Sequence, residues 1–425
     1  MSAAGNPLWH PFADMGSTDG ARFVLVRGEG AWVYDDAGSR YLDGTAGLWY
    51  ANLGHGRPEI AEAVERQLRS FDTYSIFGDI ANEPALELAE RLSGLAPVAD
   101  SKVFLGSGGG DMIEGAAKIA RSYHAHRGEA SRVHLIGRHL GYHGTHGIGT
   151  SVGGIPQNAA GFGTIVPDTS HVPHDDAEAL EAEILRVGPE RVAAFFCEPV
   201  IGAGGVWLPH EGYIERVAEI CAAHGVLFVA DCVICGFGRL GTWLGIDRWK
   251  VRPDMITLAK GVTAGTLPLG ALIVAPHVAE PFWTGEAGAP MLRHGQTYAG
   301  HPTCCAAANA ALDIYRDEDV IARGRTLEGP LAEALAPLAA NPVVSDVRSG
   351  LGFLAAVEVV DEVFERDPLF VYRWQHACRE LGLLVRPLGR GVAVSPPLIC
   401  EAEDIEFLGE RIATGLDRAA AAVAA

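Results

Sequence analysis

The sequence predicts an α/β fold: a large domain with a mostly parallel sheet sandwiched by helices, and a smaller α+β domain formed by both chain ends. Two observations carry this reading. Apolar runs of strand length recur through the middle of the chain, at Lys102–Leu105, Arg132–Ile136, Val192–Cys197, Val226–Ala230, Met255–Leu258 and Ala271–Val274. Amphipathic helical patterns separate several of them, over Glu114–His126, Asp176–Val187 and Tyr213–His224. Unbroken apolar strands alternating with helices belong to sheets that are covered on both faces.

The chain ends read differently. Residues 22–43 show turn-punctuated hairpin patterning. From about Glu318 a helix leads into Val343–Arg348, Leu354–Val360, a helix near Val371–Leu381, and a strand-like run over Leu383–Val394. Ala419–Ala425 reads as a frayed helix end. A chain of 425 residues exceeds the size at which one core usually splits. The expected division is an N-terminal segment at 1–55, a large domain at 56–317 and the rest of the small domain at 318–425.

Composition narrows the function. With 33 basic against 53 acidic side chains the net charge is −20, which disfavours nucleic acid and anionic membranes as partners. The residues Met1–Pro7 lack the basic-then-apolar pattern of a secretory leader, and no apolar run is long enough to span a bilayer. Eight cysteines in so long a chain are no disulfide framework. A cytoplasmic enzyme is the expectation.

Sheets of this kind bind ligands beyond the carboxyl ends of their strands, so the polar residues there are the candidates. Lys260 follows the run ending at Leu258 and precedes a loop rich in Gly and Thr. Its ammonium either reaches water along an apolar stem or is paired, deprotonated or used covalently as a Schiff-base nucleophile. Asp231 ends the run Val226–Ala230 and needs a cation or several donors nearby, unless it caps the following turn. The segment Gly106-Ser-Gly-Gly-Gly-Asp111 joins a strand to a helix read from Met112, and its backbone amides suit a phosphate. Tyr142 offers a flat face for a heteroaromatic ring. Around it, His139, His143 and His146 lack the helical spacing of a metal site, and no metal is assigned. Cys232 and Cys235 imitate a redox pair but stand directly after a strand rather than at a helix start.

Taken together, these motifs resemble a class III, fold-type-I aminotransferase dependent on pyridoxal phosphate (PLP), of the ω-amino acid or amine:pyruvate kind. The resemblance rests on Tyr41-Leu-Asp-Gly-Thr-Ala-Gly-Leu-Trp49, Ser107-Gly-Gly-Gly-Asp111 with Glu114 and Lys118, Tyr142-His-Gly144, Glu198–Gly205, Ala230–Arg239, Leu258-Ala-Lys-Gly261 and Thr297–Pro302. It spans nearly the whole chain, from His10-Pro-Phe12 to Ser395-Pro-Pro397.

The resemblance implies a role for each matched residue. Lys260 forms the Schiff base and shuttles the proton, while Asp231 pairs with the pyridine nitrogen. Val233 and Tyr142 cover the two ring faces, with His143 and Glu198 close by. Gly109 and Gly110 present amides to the phosphate, and Thr297 adds a hydroxyl from a partner subunit, which implies a homodimer or a tetramer. Trp49 walls the substrate pocket. Arg386 grips a carboxylate and swings away for an uncharged amine, with Arg390 as an alternative. Two departures stand out: Gly110 where the family usually has Ser, and Cys232 where it usually has Glu. The missing hydroxyl predicts weaker cofactor retention than in relatives.

The implied reaction is ping-pong transamination between a small-molecule amine and an oxo acid. Pyruvate is favoured over 2-oxoglutarate because no second arginine can be placed for a distal carboxylate. A diamine or ornithine-like transaminase, an aminomutase, a decarboxylase and a non-catalytic PLP-binding protein are the alternatives. A lysine-dependent aldolase would require a (β/α)₈ pattern, which is not seen.

Overall fold

The computed structural model describes residues 7–18, 23–284 and 291–424. Met1–Asn6 of the leader reading, Arg22 of the hairpin reading and Ala425 of the helix-end reading lie outside the described residues.

The hairpin segment forms three antiparallel strands, β1 (Leu25–Glu29), β2 (Trp32–Asp35) and β3 (Arg40–Asp43). Seven strands then build the large sheet: β4 (Lys102–Gly106), β5 (His134–Arg138), β6 (Thr169–Val172), β7 (Val192–Cys197), β8 (Leu227–Asp231), β9 (Met255–Leu258) and β10 (Gly270–Val274). Their order is β4-β10-β9-β8-β7-β5-β6. Only β10 runs against the rest, pairing antiparallel with both β4 and β9. The carboxyl ends of the other six strands therefore share one edge.

Every residue of β5, β7, β8, β9 and β10 is buried, as the apolar runs predict. On β7, Phe195 enters the core with Phe228, Ile256 and the helix residues Leu180, Ile184, Ile214 and Val217. Phe196 enters the opposite core with Val229, Leu272 and the helix residues Met112, Ile113, Ala116 and Ala120. Helices thus cover both faces, and each fully buried Phe contributes about 1.5–3 kcal/mol.

Among the differences from the sequence reading are two boundaries and one strand. β5 begins at His134 rather than Arg132, because the Arg132 guanidinium turns to the carbonyls of Val192 and Gly225. The edge strand β6, Thr-Ser-His-Val, escapes an apolar criterion because three of its four residues are half-exposed. The helix after the glycine loop starts at Gly109 rather than Met112.

The C-terminal part adds β11 (Val344–Arg348), β12 (Ala355–Val359), β13 (Leu383–Leu384), β14 (Arg386–Leu388) and β15 (Gly391–Val394). The single run expected over Leu383–Val394 is therefore three strands, with Gly389 at φ +53° in the turn between β14 and β15. β11, β12, β15 and β14 form an antiparallel sheet, whereas β13 leaves it to pair parallel with β3. That pairing joins the two ends of the chain. The last helix, Ala402–Ala424, is docked rather than frayed at Ala419, which is buried. The buried Trp374 indole donates to the Ile412 carbonyl at 3.0 Å and fixes that helix in place.

Candidate active site

Five loops at the carboxyl edge of the large sheet bring the site together. β4 leads into the glycine turn, β5 into Tyr142 and His143, β7 into Glu198, β8 ends on Asp231, and β9 leads into Lys260.

Asp231 is buried, with three donors on its carboxylate. His143 Nδ1 lies 2.7 Å from Oδ2, while Thr257 Oγ1 and the Val233 amide lie 3.0 and 3.1 Å from Oδ1. His143 is itself buried, so the structure sets it behind Asp231 with Nδ1–H donating, and it orients the acid. Thr257 was not singled out from sequence. A hydroxyl inside an apolar run must find a partner, and that was the available signal.

Lys260 opens a short 3₁₀ turn, Lys260–Thr263, and has φ +47°, an unfavourable value for a residue with a side chain. The turn is held from several sides. The Gly265 amide donates to the Lys260 carbonyl at 3.2 Å, and the buried Tyr315 hydroxyl donates to the Gly261 carbonyl at 2.9 Å. Burial pulls the Lys260 pKa below the ordinary 10.5; Asp231 and Glu198 oppose the shift, and Arg386 adds to it. Glu198 accepts from the Tyr142 amide at 2.8 Å and the Gly202 amide at 2.9 Å, and burial pushes its carboxyl pKa up.

At the glycine turn, Asp111 Oδ2 accepts from the Ser107 amide at 2.9 Å and closes the loop ahead of the helix Gly109–His126. A Cβ on Gly109 would lie 2.9 Å from a Val233 methyl, so a side chain there would have to displace Val233. The residue that would cover a bound ring thus packs against the helix N-terminus that would hold its phosphate.

The rim comes from the small domain. Trp49 is buried beside Val200, Val206 and Ile234, in a segment where Ala46 and Trp49 both have positive φ. Asp43 ties that segment down by accepting from the Gly47 amide (2.6 Å), Thr45 Oγ1 (2.9 Å) and His55 (2.8 Å). Arg386 lies on β14, half-buried, with a buried Nε that has no partner among the described residues. Burial lowers its pKa and Tyr142 opposes this; in turn the guanidinium holds down the Tyr142 phenol against burial. Arg390 is half-exposed and pairs with Asp361, so it is engaged away from the site. Thr297 is exposed.

The remaining histidines and cysteines go elsewhere. His139 stacks on His171, and His146 lies against Asp111 at 3.6 Å. Among the described residues no group of three His, Cys, Asp or Glu side chains could hold a metal. Cys232 and Cys235 are buried, and desolvation raises both thiols far above their ordinary 9.0. A thiolate is thereby disfavoured at each.

This set fits pyridoxal phosphate. Asp231 offers a fixed anion for the pyridinium nitrogen and Lys260 a buried amine for the aldehyde. A glycine turn packed against Val233 offers helix-end amides for the phosphate.

Comparison with known proteins agrees. The description "Aminotransferase class-III" matches residues 15–416. An omega-aminotransferase of Caulobacter vibrioides is 36% identical over 438 residues, covering 95% of this chain and 96% of that one. A putrescine–pyruvate aminotransferase of Pseudomonas aeruginosa is 35% identical over 439 residues, covering 98% and 95%. Among solved structures, a PLP-bound amine transaminase from an uncultivated Pseudomonas species has a TM-score of 0.92 at 36% identity, covering 98% of this chain and 100% of that one. The chain belongs to the class-III aminotransferases, and it is a fold-type-I transaminase that uses pyridoxal phosphate.

Proposed function

We propose that the enzyme moves an amino group from an ω-amino acid or small amine to pyruvate in two half-reactions, with Lys260 and Asp231 as its catalytic residues. When bound, pyridoxal phosphate supplies the electron sink that makes the amine-bearing carbon acidic. With the cofactor bound, Lys260 Nζ would be the base that takes that carbon's proton and hands it on. Its lowered pKa favours the neutral base. Asp231, held by His143 and Thr257, keeps the pyridine nitrogen protonated. Tyr142 and Val233 would hold the ring, with Glu198 beside it and His143 behind Asp231, while Gly109 and Gly110 would hold the phosphate.

The observation that carries the acceptor assignment is Arg386, a half-buried guanidinium with open hydrogen-bonding capacity beside Tyr142. It suits one carboxylate. Arg390, the second arginine on the same hairpin, is occupied by Asp361, which favours pyruvate over a dicarboxylic oxo acid. With Trp49 as a wall, the pocket suits a small donor. A diamine is the second reading, supported by the putrescine–pyruvate relative.

The assembly proposed is a homodimer, or a tetramer built from two such dimers, with Thr297 acting in the partner's site. Phe71, Tyr74, Phe77, Ile80, Met291 and Tyr298 are all exposed, and Gly295 and Gly300 pack onto Phe77 and Ile76. Such clustering is typical of a subunit interface. Eight free cysteines, seven of them buried, support a reducing cytoplasmic setting. Among the described residues no helix is long and apolar enough to cross a membrane.

The test is a pair of half-reactions. Holoenzyme given an amine alone should lose its visible PLP absorbance, and pyruvate should restore it faster than 2-oxoglutarate. Faster recovery with 2-oxoglutarate would overturn the acceptor assignment.

A further inference from the structure

A Cβ built on Gly110 would stand 3.3 Å from both Cε1 and Nδ1 of His146. The imidazole therefore borders the space that a side chain at residue 110 would enter, above the N-terminus of the helix Gly109–His126. We propose that His146 is a phosphate ligand of the cofactor site, supplying the side-chain donor that Gly108-Gly-Gly110 cannot.

The position of His146 is built rather than incidental. Its loop crosses the glycine turn so closely that a Cβ on Gly144 would come within 3.0 Å of Gly110 Cα, and Gly144 takes φ +84°. Beyond the histidine, Glu114 Oε1 accepts from the Ile148 amide at 2.6 Å and the Gly149 amide at 3.3 Å. The Thr150 amide donates back to the His146 carbonyl at 2.8 Å. Gly149 packs against the His143 carbonyl with no room for a side chain, so the segment from Asp231's partner to His146 is one packed unit. Glu114 belongs to the same helix whose first turn carries Gly109 and Gly110. A single helix therefore fixes both the amides and the loop that brings in the imidazole.

His146 Nδ1, the ring nitrogen nearest the Gly110 side, lies 3.6 Å from Asp111 Oδ1, beyond hydrogen-bond distance, so with its hydrogen on Nδ1 the ring can donate to a phosphoryl oxygen there. The side chain is half-exposed, so a phosphoryl oxygen can reach it. Asp111 is occupied on its other oxygen by the Ser107 amide, and Glu114 by the two amides of the loop. The weak retention expected from a missing hydroxyl is thereby offset by an imidazole from a different loop.

The proposal rests on the phosphate being held at Gly109 and Gly110. The test titrates the full-length wild-type and His146→Ala proteins with PLP and, separately, with phosphate-free pyridoxal, reading bound aldehyde by visible absorbance. The expected result is about a tenfold weaker PLP affinity in the variant, as for loss of one hydrogen bond to a charged group, with pyridoxal affinity unchanged. Equal PLP affinity in the two proteins, or an equal loss for both ligands, overturns the role of His146. A wild type that binds PLP no better than pyridoxal overturns the phosphate site itself.

Discussion

Asp231 and Arg386 both present a charge near Lys260, and they are held in opposite ways. Asp231 closes a buried strand of the large sheet and has three donors on its carboxylate. Arg386 stands on a short strand of the small domain, half-buried, with an Nε that nothing in the described chain satisfies. In the proposed cycle the pyridine nitrogen needs its counter-charge throughout, so a saturated, rigid site serves it. The carboxylate of an oxo acid is present in one half-reaction only. A guanidinium with open hydrogen-bonding capacity can take that carboxylate and release it, whereas a saturated one could not.

Removing the group between the two regions should have the largest effect. Lys260→Ala is expected to slow the amine half-reaction by about 10⁴-fold, the upper range for loss of a positioned acid–base group. PLP should remain bound non-covalently, because the Asp231 anchor and the helix-end amides do not depend on the lysine. Single-turnover absorbance with an amine reads the rate, and gel filtration reads retention. A rate within tenfold of wild type would end the assignment of Lys260 as base.

Arg386→Leu tests the rim alone. The kcat/KM for pyruvate should fall about 10- to 100-fold, as expected for a charge-assisted bidentate contact worth about 1.5–3 kcal/mol. The half-reaction with an uncharged amine should change little. An equal loss for both partners would mean that Arg386 acts on the cofactor region, and the contrast with Asp231 would collapse.

What could be read from sequence follows the same division. Lys260, Asp231 and the glycine turn stood out because each interrupts or ends an apolar run, and burial makes such residues costly without a partner. The partners themselves lie far away in sequence. Thr257 reaches Asp231 across 26 residues and His143 across 88, and one sequence without a fold holds no distance between them. The large sheet was legible because its strands are buried on both faces, while β6 was hidden by its half-exposed edge position. The small domain was legible as a type, yet the parallel pairing of β13 with β3 joins residues more than three hundred positions apart. No local pattern marks that pairing.

The smallest expected effect concerns the backbone beneath Lys260. Tyr315 comes from the helix Pro302–Asp317 and is wholly buried; its hydroxyl donates to the Gly261 carbonyl at 2.9 Å. Burial pushes the phenol pKa far up, so the group remains a donor across the working pH range. Tyr315→Phe removes that donor and leaves the ring, which packs on Phe237 and Trp243. The buried carbonyl then lacks this bond, at an expected cost of about 1–3 kcal/mol in stability, read as a lower urea midpoint at unchanged m-value. The φ of Lys260 is also held by the Gly265 amide, so kcat should fall by less than about tenfold. A large loss of kcat at unchanged stability would reverse this ordering. It would show that the lysine turn is positioned by a single distant hydroxyl rather than by its own hydrogen bonds.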